Sequence, residues 1–471
     1  MIDVKRFGAI AALLGGLLLA GTGTAQAEPL RWGPCPDYGL PGPGNPTAGL
    51  DCATLRVPLD YRRPDGRTIE VTMSRHVATD PAKRRGVLLM NPGGPGGPGL
   101  PMPAQLVARG GWTGLLESYD VIGFDPRGVG YSTPVTCDLT PEQRFSAVGP
   151  YAHTGDDVTR QAEKARVVAR QCADSPTGYL LPHLTTANTA RDMDRVRIAL
   201  GERKISYFGV SYGSYLGAVY AALFPERTDR VVLDSVLGTG GLDVTAHRRF
   251  AQGFDDRFPD FTAWAAQRHD TYGLGSTPDE VAAKFDELAR GPEGDRLRSN
   301  TWAALYDDAH FPDLATQWQG FSATAATGPL DGDNHAAAQL SVLCNDSDWP
   351  EDVRSYQRAV ERERVAHPRF GPAAANVNPC AFWPVDPIEP PTRITARGPS
   401  NILLVQNLRD PATPLVGARE TRRAFGDRAR MVTVDTGGHG VFLVNPNACG
   451  NAAVAAFLRD GARPKSDSAC G

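Results

Sequence analysis

Apolar and polar positions alternate over "ATLRVPLDY" (53–61) and "TIEVTMSRHVA" (68–78), the period of a strand with one face in a core. The next runs differ. "GVLLMN" (86–91), "YDVIGF" (119–124), "ISYFGV" (205–210) and "RVVLD" (230–234) are apolar almost throughout, as strands covered on both faces are. Between them, "TTANTARDMDRVRIALG" (185–201) sets Met193, Val196, Ala199 and Leu200 at helical spacing among charges and closes on Gly201. A second helical stretch, 212–224, follows the strand at 205–210 without a break. Buried strands alternating with helices predict an α/β fold: a mostly parallel sheet with helices on both faces.

That rhythm stops at about residue 238. From there to 395 the pattern is amphipathic and helical, as in "PDEVAAKFDELARG" (278–291) and "PEDVRSYQRAVERERVAHP" (350–368), with aromatics between the pieces. Two further strand patterns come late, "NILLVQNLRD" (401–410) and "ARMVTVDTGGHG" (429–440). Length alone would suggest about three domains. A helical insertion into one sheet explains the order more simply: a core at 28–237 and 396–471, with a lid at 238–395.

In parallel sheets the reactive groups collect at the carboxyl ends of the strands. Ser211 stands at such an end, inside Gly209-Val210-Ser211-Tyr212-Gly213, where a strand turns directly into a helix. A turn this sharp leaves no room for side chains at the flanking positions, and it lifts the serine hydroxyl above the sheet. The two late strands end in the partners a serine nucleophile needs. Asp410 precedes Pro411, and His439 sits in the glycine-lined turn "GGHG". The chain order Ser211, Asp410, His439 is the order found on α/β-hydrolase sheets. Asp435 is a competing acid, but it lies four residues before the histidine in the same strand end and is badly placed to reach beneath the ring.

This set predicts attack by Ser211 on a carbonyl carbon, with His439 as base and then acid and Asp410 fixing the imidazole. Two amides must receive the oxyanion. Tyr212, directly after the nucleophile, supplies one, and the loop "NPGGPGGPG" (91–99) supplies the other through Gly94. Pro92, Pro95 and Pro98 remove donors that a phosphate cradle would need, and no Gly-Lys-Ser/Thr follows. Asp125 and Arg127 are expected to form a buried ion pair bracing this loop.

Composition narrows the setting. The net charge is −4, with no basic stripe and no aromatic-plus-basic cluster, so nucleic acid is not an expected partner. Lys5 and Arg6 precede an apolar stretch at 9–20, and Ala25-Gln26-Ala27 has the form of a signal-peptidase site, so residues 1–27 are expected to be a signal peptide. No later segment approaches the length of a membrane span, and no cysteine near the cleavage region offers a lipid anchor. The eight cysteines fall into four local couples, predicting Cys35–Cys52, Cys137–Cys172, Cys344–Cys380 and Cys449–Cys470. With no C-x-x-C or His/Cys knot, zinc is not expected, and no residue set calls for a cofactor. A secreted monomer is the expected form.

The motifs "MNPGGPGGPG", "DVIGFDPRGVGYS", "TTANTARDMDRVRIALG", "GVSYGSYLG", "LLVQNLRDPATP" and "GGHG", in this order, resemble the secreted tripeptidyl-aminopeptidase branch of the proline iminopeptidase family, serine exopeptidases on the α/β-hydrolase fold. Proline iminopeptidases proper carry His-Gly-Gly-Pro-Gly and Asp-Gln-Arg-Gly. The present chain has Asn91-Pro92-Gly93-Gly94 and Asp125-Pro126-Arg127-Gly128 there, which favours the tripeptidyl branch and weakens any inference about proline specificity. The resemblance implies release of short N-terminal peptides from peptide substrates. Such an exopeptidase needs an acid for the substrate's ammonium group, and "SVLCNDSDWP" offers Asp346 and Asp348, with Asp234 at a strand end as another candidate. A carboxylesterase or lipase with the same triad is the alternative, because the triad does not report the leaving group.

Overall fold

A computed structural model describes residues 29–38, 45–110, 112, 114–144, 148–320, 332–444 and 447–471. The expected signal segment lies outside these residues. Among the described residues ten strands form one sheet: β1 (Gly33–Pro34), β2 (Asp51–Pro58), β3 (Thr68–His76), β4 (Gly86–Asn91), β5 (Tyr119–Phe124), β6 (Ile205–Val210), β7 (Thr228–Asp234), β8 (Ile402–Arg409), β9 (Ala429–Gly437) and β10 (Ser468–Cys470). Their spatial order is β1-β2-β3-β5-β4-β6-β7-β8-β9-β10. The first three strands pair antiparallel, as does β3 with β5, and every pairing from β5 through β4 to β10 is parallel.

The apolar runs fill the parallel part because both of its faces are covered. Val87, Leu89, Tyr207, Val231 and Leu404 point to one face, where Met193, Leu216, Val219 and Phe425 of the helices Thr186–Ala199, Tyr212–Leu223 and Leu415–Phe425 close the core. Their neighbours Leu88, Met90, Phe208, Val232 and Val405 point to the other, against Leu106, Val454 and Leu458 of the helices Met102–Ala108 and Ala448–Asp460. Each buried aliphatic side chain of this kind is worth about 1.5–3 kcal/mol relative to exposure. The α/β-hydrolase class expected from the pattern is borne out.

The helices between β7 and β8 bury a separate aromatic core of Phe250, Phe254, Phe258, Phe261, Phe285 and Trp318, with Trp302 and Phe370 against it. The helix Val244–Ala266 runs through its centre. This helical layer also draws on the earlier chain. Val148 joins the aromatic core, and Val158 and Ala162 of the helix Gly155–Asp174 pack with Tyr356 and Val360.

All eight cysteines are paired as the spacing predicts, in the disulfides Cys35–Cys52, Cys137–Cys172, Cys344–Cys380 and Cys449–Cys470. Among the described residues no helix is long and apolar enough to cross a membrane.

Candidate functional site

Strands β6, β7, β8 and β9 lie side by side and parallel, so their carboxyl ends bring Ser211, Asp234, Asp410 and His439 to one edge of the sheet. Ser211 has φ 60° and ψ −128°, a conformation that costs a non-glycine residue about 1–3 kcal/mol. Its N–H donates to the main-chain oxygen of Asp234 at 3.0 Å, and its own carbonyl accepts from Ser214 at 2.8 Å. The flanking glycines are there because the turn is crowded. A Cβ on Gly209 would lie 2.3 Å from the Gly213 oxygen, and one on Gly213 would lie 2.7 Å from the Asn91 oxygen.

His439 and Asp410 form a pair. Nδ1 of His439 lies 2.9 and 3.0 Å from the two carboxylate oxygens of Asp410. Asp410 is fully buried and also accepts from the amides of Ala412 and Thr413 and from the Thr413 hydroxyl at 2.8–2.9 Å. Burial opposes its ionised form, yet the adjacent His439 and these hydrogen bonds outweigh it and hold the carboxyl below its usual range. For His439 burial works against the imidazolium, Asp410 works for it, Asp234 adds in the same sense, and the pKa is raised overall.

The turn that carries His439 is gripped on several sides. Asn407 of β8 donates through Nδ2 to the carbonyls of Gly438 and Gly440 at 2.9 and 3.1 Å. Ser235 Oγ accepts from the Gly440 amide at 2.7 Å, and the Asp234 carboxylate accepts from Val441 and Phe442 at 2.8 and 2.7 Å. From the helical layer, the Tyr306 oxygen accepts from the His439 amide at 2.8 Å. Neither Asn407 nor Tyr306 carries a local sequence signal for this role.

The glycine loop after β4 packs directly on the serine turn. A Cβ on Gly93 (φ 93°) would meet the Val210 oxygen at 2.5 Å and the Tyr212 nitrogen at 3.1 Å. The Gly93 amide is engaged with Asn91 Oδ1 at 3.0 Å, and Pro92 and Pro95 have no N–H, so the amides this stretch can offer come from Gly94, Gly96 and Gly97. Tyr212, as the first residue of its helix, has no intrahelical acceptor for its own N–H.

Asp125 and Arg127 do not pair with each other, contrary to expectation. Asp125 does brace the loop, accepting from the Gly99 and Leu100 amides at 2.9 and 3.2 Å and from Tyr131 and the Tyr38 hydroxyl. Arg127 points the other way, in a buried bidentate pair with Asp192 at 2.6 and 2.7 Å. Two residues along an irregular turn face opposite sides, so closeness in sequence gave no contact. Asp435 is exposed and pairs with Arg409 at 2.8 Å, away from the imidazole.

The three acids considered for the substrate's ammonium group lie in different settings. Asp234 is fully buried with both carboxylate oxygens turned to the Val441 and Phe442 amides. Asp346 ends the helix Asp333–Asp346 and accepts from the Thr186 amide at 2.8 Å and from the Thr186 hydroxyl, which also contacts the Tyr212 hydroxyl. Burial pushes its carboxyl up to about 7. Asp348 is exposed, on a cleft of about 470 Å³ that Arg166, Arg170 and Trp383 also line.

A family model described as "TAP-like protein" matches residues 367–470, the stretch carrying Asp410 and His439. The tripeptidyl aminopeptidase of Streptomyces coelicolor is 35% identical over 97% of this chain and 88% of its own length. The chain belongs to the tripeptidyl aminopeptidase family. Esterases also occur among the family's relatives: carboxylesterase B of Mycobacterium tuberculosis is 30% identical over 97% of this chain and 96% of its own. Among solved structures, a proline iminopeptidase from Mycobacterium smegmatis aligns at 16% identity with a TM-score of 0.42, over 86% of this chain and 97% of that one.

Proposed function

We propose that this member of the tripeptidyl aminopeptidase family is a secreted serine exopeptidase that removes short peptides, three residues long, from substrates with a free amino terminus. The observation that carries the reading is the buried His439–Asp410 pair on the same sheet edge as the strained Ser211 turn, in a chain similar over nearly its whole length to a tripeptidyl aminopeptidase. Four disulfides support an oxidising, extracellular destination.

In this reading Ser211 Oγ attacks the scissile carbonyl while His439 accepts its proton and returns it to the leaving amine. Asp410 holds the proton on Nδ1, so that Nε2 is the base, and stabilises the imidazolium. The amides of Tyr212 and Gly94 receive the developing oxyanion, each worth roughly 3 kcal/mol in comparable sites. Water then repeats the cycle on the acyl-enzyme. The helices at 238–395 serve as a lid that closes the site beyond the serine and sets how much peptide is released.

Asp346 is the acid assigned to the ammonium group. It is paired with no lysine or arginine among the described residues, and it reaches the nucleophile turn through Thr186 and Tyr212. A cation would relieve the burial that now raises its pKa. Asp234 does not take this role, because it is fully buried as well as held by backbone amides, whereas Asp346 is partly exposed.

The test compares a tripeptidyl-arylamide, its N-acetylated twin and a short acyl ester. Acetylation should cost at least about a hundredfold in kcat/KM, or roughly 2.7 kcal/mol. Asp346→Asn should impose a similar loss on the free peptide and almost none on the ester. Equal turnover of blocked and free peptides hands the case to the second reading, a carboxylesterase, which the carboxylesterase B relative favours.

A further inference from the structure

Asp234 is a buried carboxylate without a cation. No lysine or arginine pairs with it among the described residues, and its fully buried side chain is satisfied only by two consecutive amides, Val441 and Phe442, at 2.8 and 2.7 Å. A buried ion with no counter-charge is costly, and a neutral side chain could cap a loop more cheaply. An asparagine could not do this job in the same place. Its one oxygen would serve one amide, and its NH2 would oppose the other N–H.

The residue touches both halves of the reacting set. Its main-chain oxygen takes the Ser211 N–H at 3.0 Å, and its carboxylate holds the two residues that end the His439 turn. Ser235 extends the same contact by accepting from Gly440, and its own N–H is anchored on Val405 of β8 at 3.1 Å. The end of β7 thus fixes the nucleophile turn on one side and the histidine turn on the other.

We propose that Asp234 is a positioning residue for the reaction: it latches the His439 turn to the Ser211 turn through its carboxylate and its main-chain oxygen. Asp410 binds Nδ1 directly, whereas Asp234 holds the turn through the Val441 and Phe442 amides. The titratable groups that bear on Asp234 are His439 from the β9 turn and Asp410 from the β8 turn. Burial raises the Asp234 carboxyl to about 7, and once ionised it favours the imidazolium, so its loss should lower the pKa of His439. The inference rests on His439 being the base of the proposed reaction.

The experiment is a pH–rate profile of Asp234→Asn, with tripeptidyl-arylamide as substrate and fluorophosphonate labelling of Ser211 as a second readout. The expected result is a kcat loss of about ten- to a hundredfold with KM within about twofold of wild type, slower labelling, and an acid limb of kcat/KM displaced to lower pH. A purely structural residue would lower the active fraction without moving that limb. A kcat within about twofold of wild type, or a lowered kcat with the limb unmoved, overturns the proposal. Should Asp234→Asn fail to fold, Ser235→Ala removes the Gly440 anchor together with the hydroxyl's contact to Asp410, and should lower kcat at least about three- to tenfold at unchanged KM. An unchanged kcat in that variant overturns the latch as well. The outcome is separable from that of the parent reading, which falls if blocked and free peptides turn over equally, or if Ser211→Ala or His439→Ala keeps its activity.

Discussion

The ring of Tyr306 stands edge-on to the His439 imidazole, with centroids 4.7 Å apart and planes at 61°. The same residue accepts the His439 amide through its main-chain oxygen. Nearby, Trp302 donates from Nε1 to the Pro411 carbonyl at 3.1 Å, and Gly253 lets the helix Val244–Ala266 approach the Asp410–Pro411 backbone so closely that a Cβ would lie 2.3 Å from the Pro411 oxygen. The helical insertion is therefore tied to both the acid turn and the histidine turn.

Tyr306→Ala should follow from that tie. It removes the ring that limits the imidazole's movement while the main-chain contact persists. The expected loss in kcat is about tenfold, with a smaller change in KM, since misplacing a reacting group by an ångström costs up to about a hundredfold. Tyr306→Phe keeps the ring and should stay within about twofold. Steady-state kinetics on both variants decide it. Equal losses in the two would assign the effect to the hydroxyl instead.

Asp410→Asn should lower kcat by about four orders of magnitude, because the amide favours the wrong histidine tautomer. Asp435→Asn should change kcat by less than about threefold, since this exposed acid is bound to Arg409 and not to the imidazole. Kinetics at the pH optimum rank the two acids, and the reverse ranking would displace Asp410 from the mechanism.

The contrast between these acids shows what could be read from the chain. Continuous apolar runs such as Gly86–Asn91 and Ile205–Val210 announce two-faced burial, and strand ends locate Ser211, Asp410 and His439 before any contact is known. The disulfides were legible because each joins cysteines 17 to 36 residues apart with no closer alternative. Long-range polar pairing was not legible. Arg127 finds Asp192, 65 residues away, and Asp234 finds amides more than 200 residues away. Nothing in the local pattern encodes such contacts, which depend on which strands become neighbours. Tyr306 is the same case: in "WAALYDD" it reads as one more helical aromatic.

Reduction should destabilise the protein in steps. The disulfides span 17, 35, 36 and 21 residues, for which loop-closure entropy gives about 3–4 kcal/mol each. Cys344–Cys380 packs with Leu343 and Trp349 at the end of the helix that carries Asp346. Cys344→Ser with Cys380→Ser should therefore raise KM for free peptides as well as lowering the denaturation midpoint. Denaturant titration with and without reductant measures the first effect. A midpoint unchanged by reductant would show that the bridges contribute nothing.

Stability should fall as pH rises from about 4 towards 8. Burial raises the carboxyls of Asp234 and Asp346 from an ordinary 3.8 to about 7, so between these values the folded chain holds protons that the unfolded chain has released. Each group then favours folding most fully below about 3.8, and that advantage is lost progressively up to about 7. His439 acts in the same direction at the upper end: its folded pKa lies above 6.5, so its contribution is present below 6.5 and disappears as the pH climbs through the raised value. Asp410 works oppositely, but its lowered carboxyl releases stability only on acidification below 3.8, outside this window. Urea unfolding from pH 4.5 to 8.5 should show the decline, and Asp346→Asn, which cannot ionise, should flatten it. A free energy of unfolding that rises across this range, or an Asp346→Asn curve parallel to wild type, would mean that these buried carboxyls stay ionised throughout.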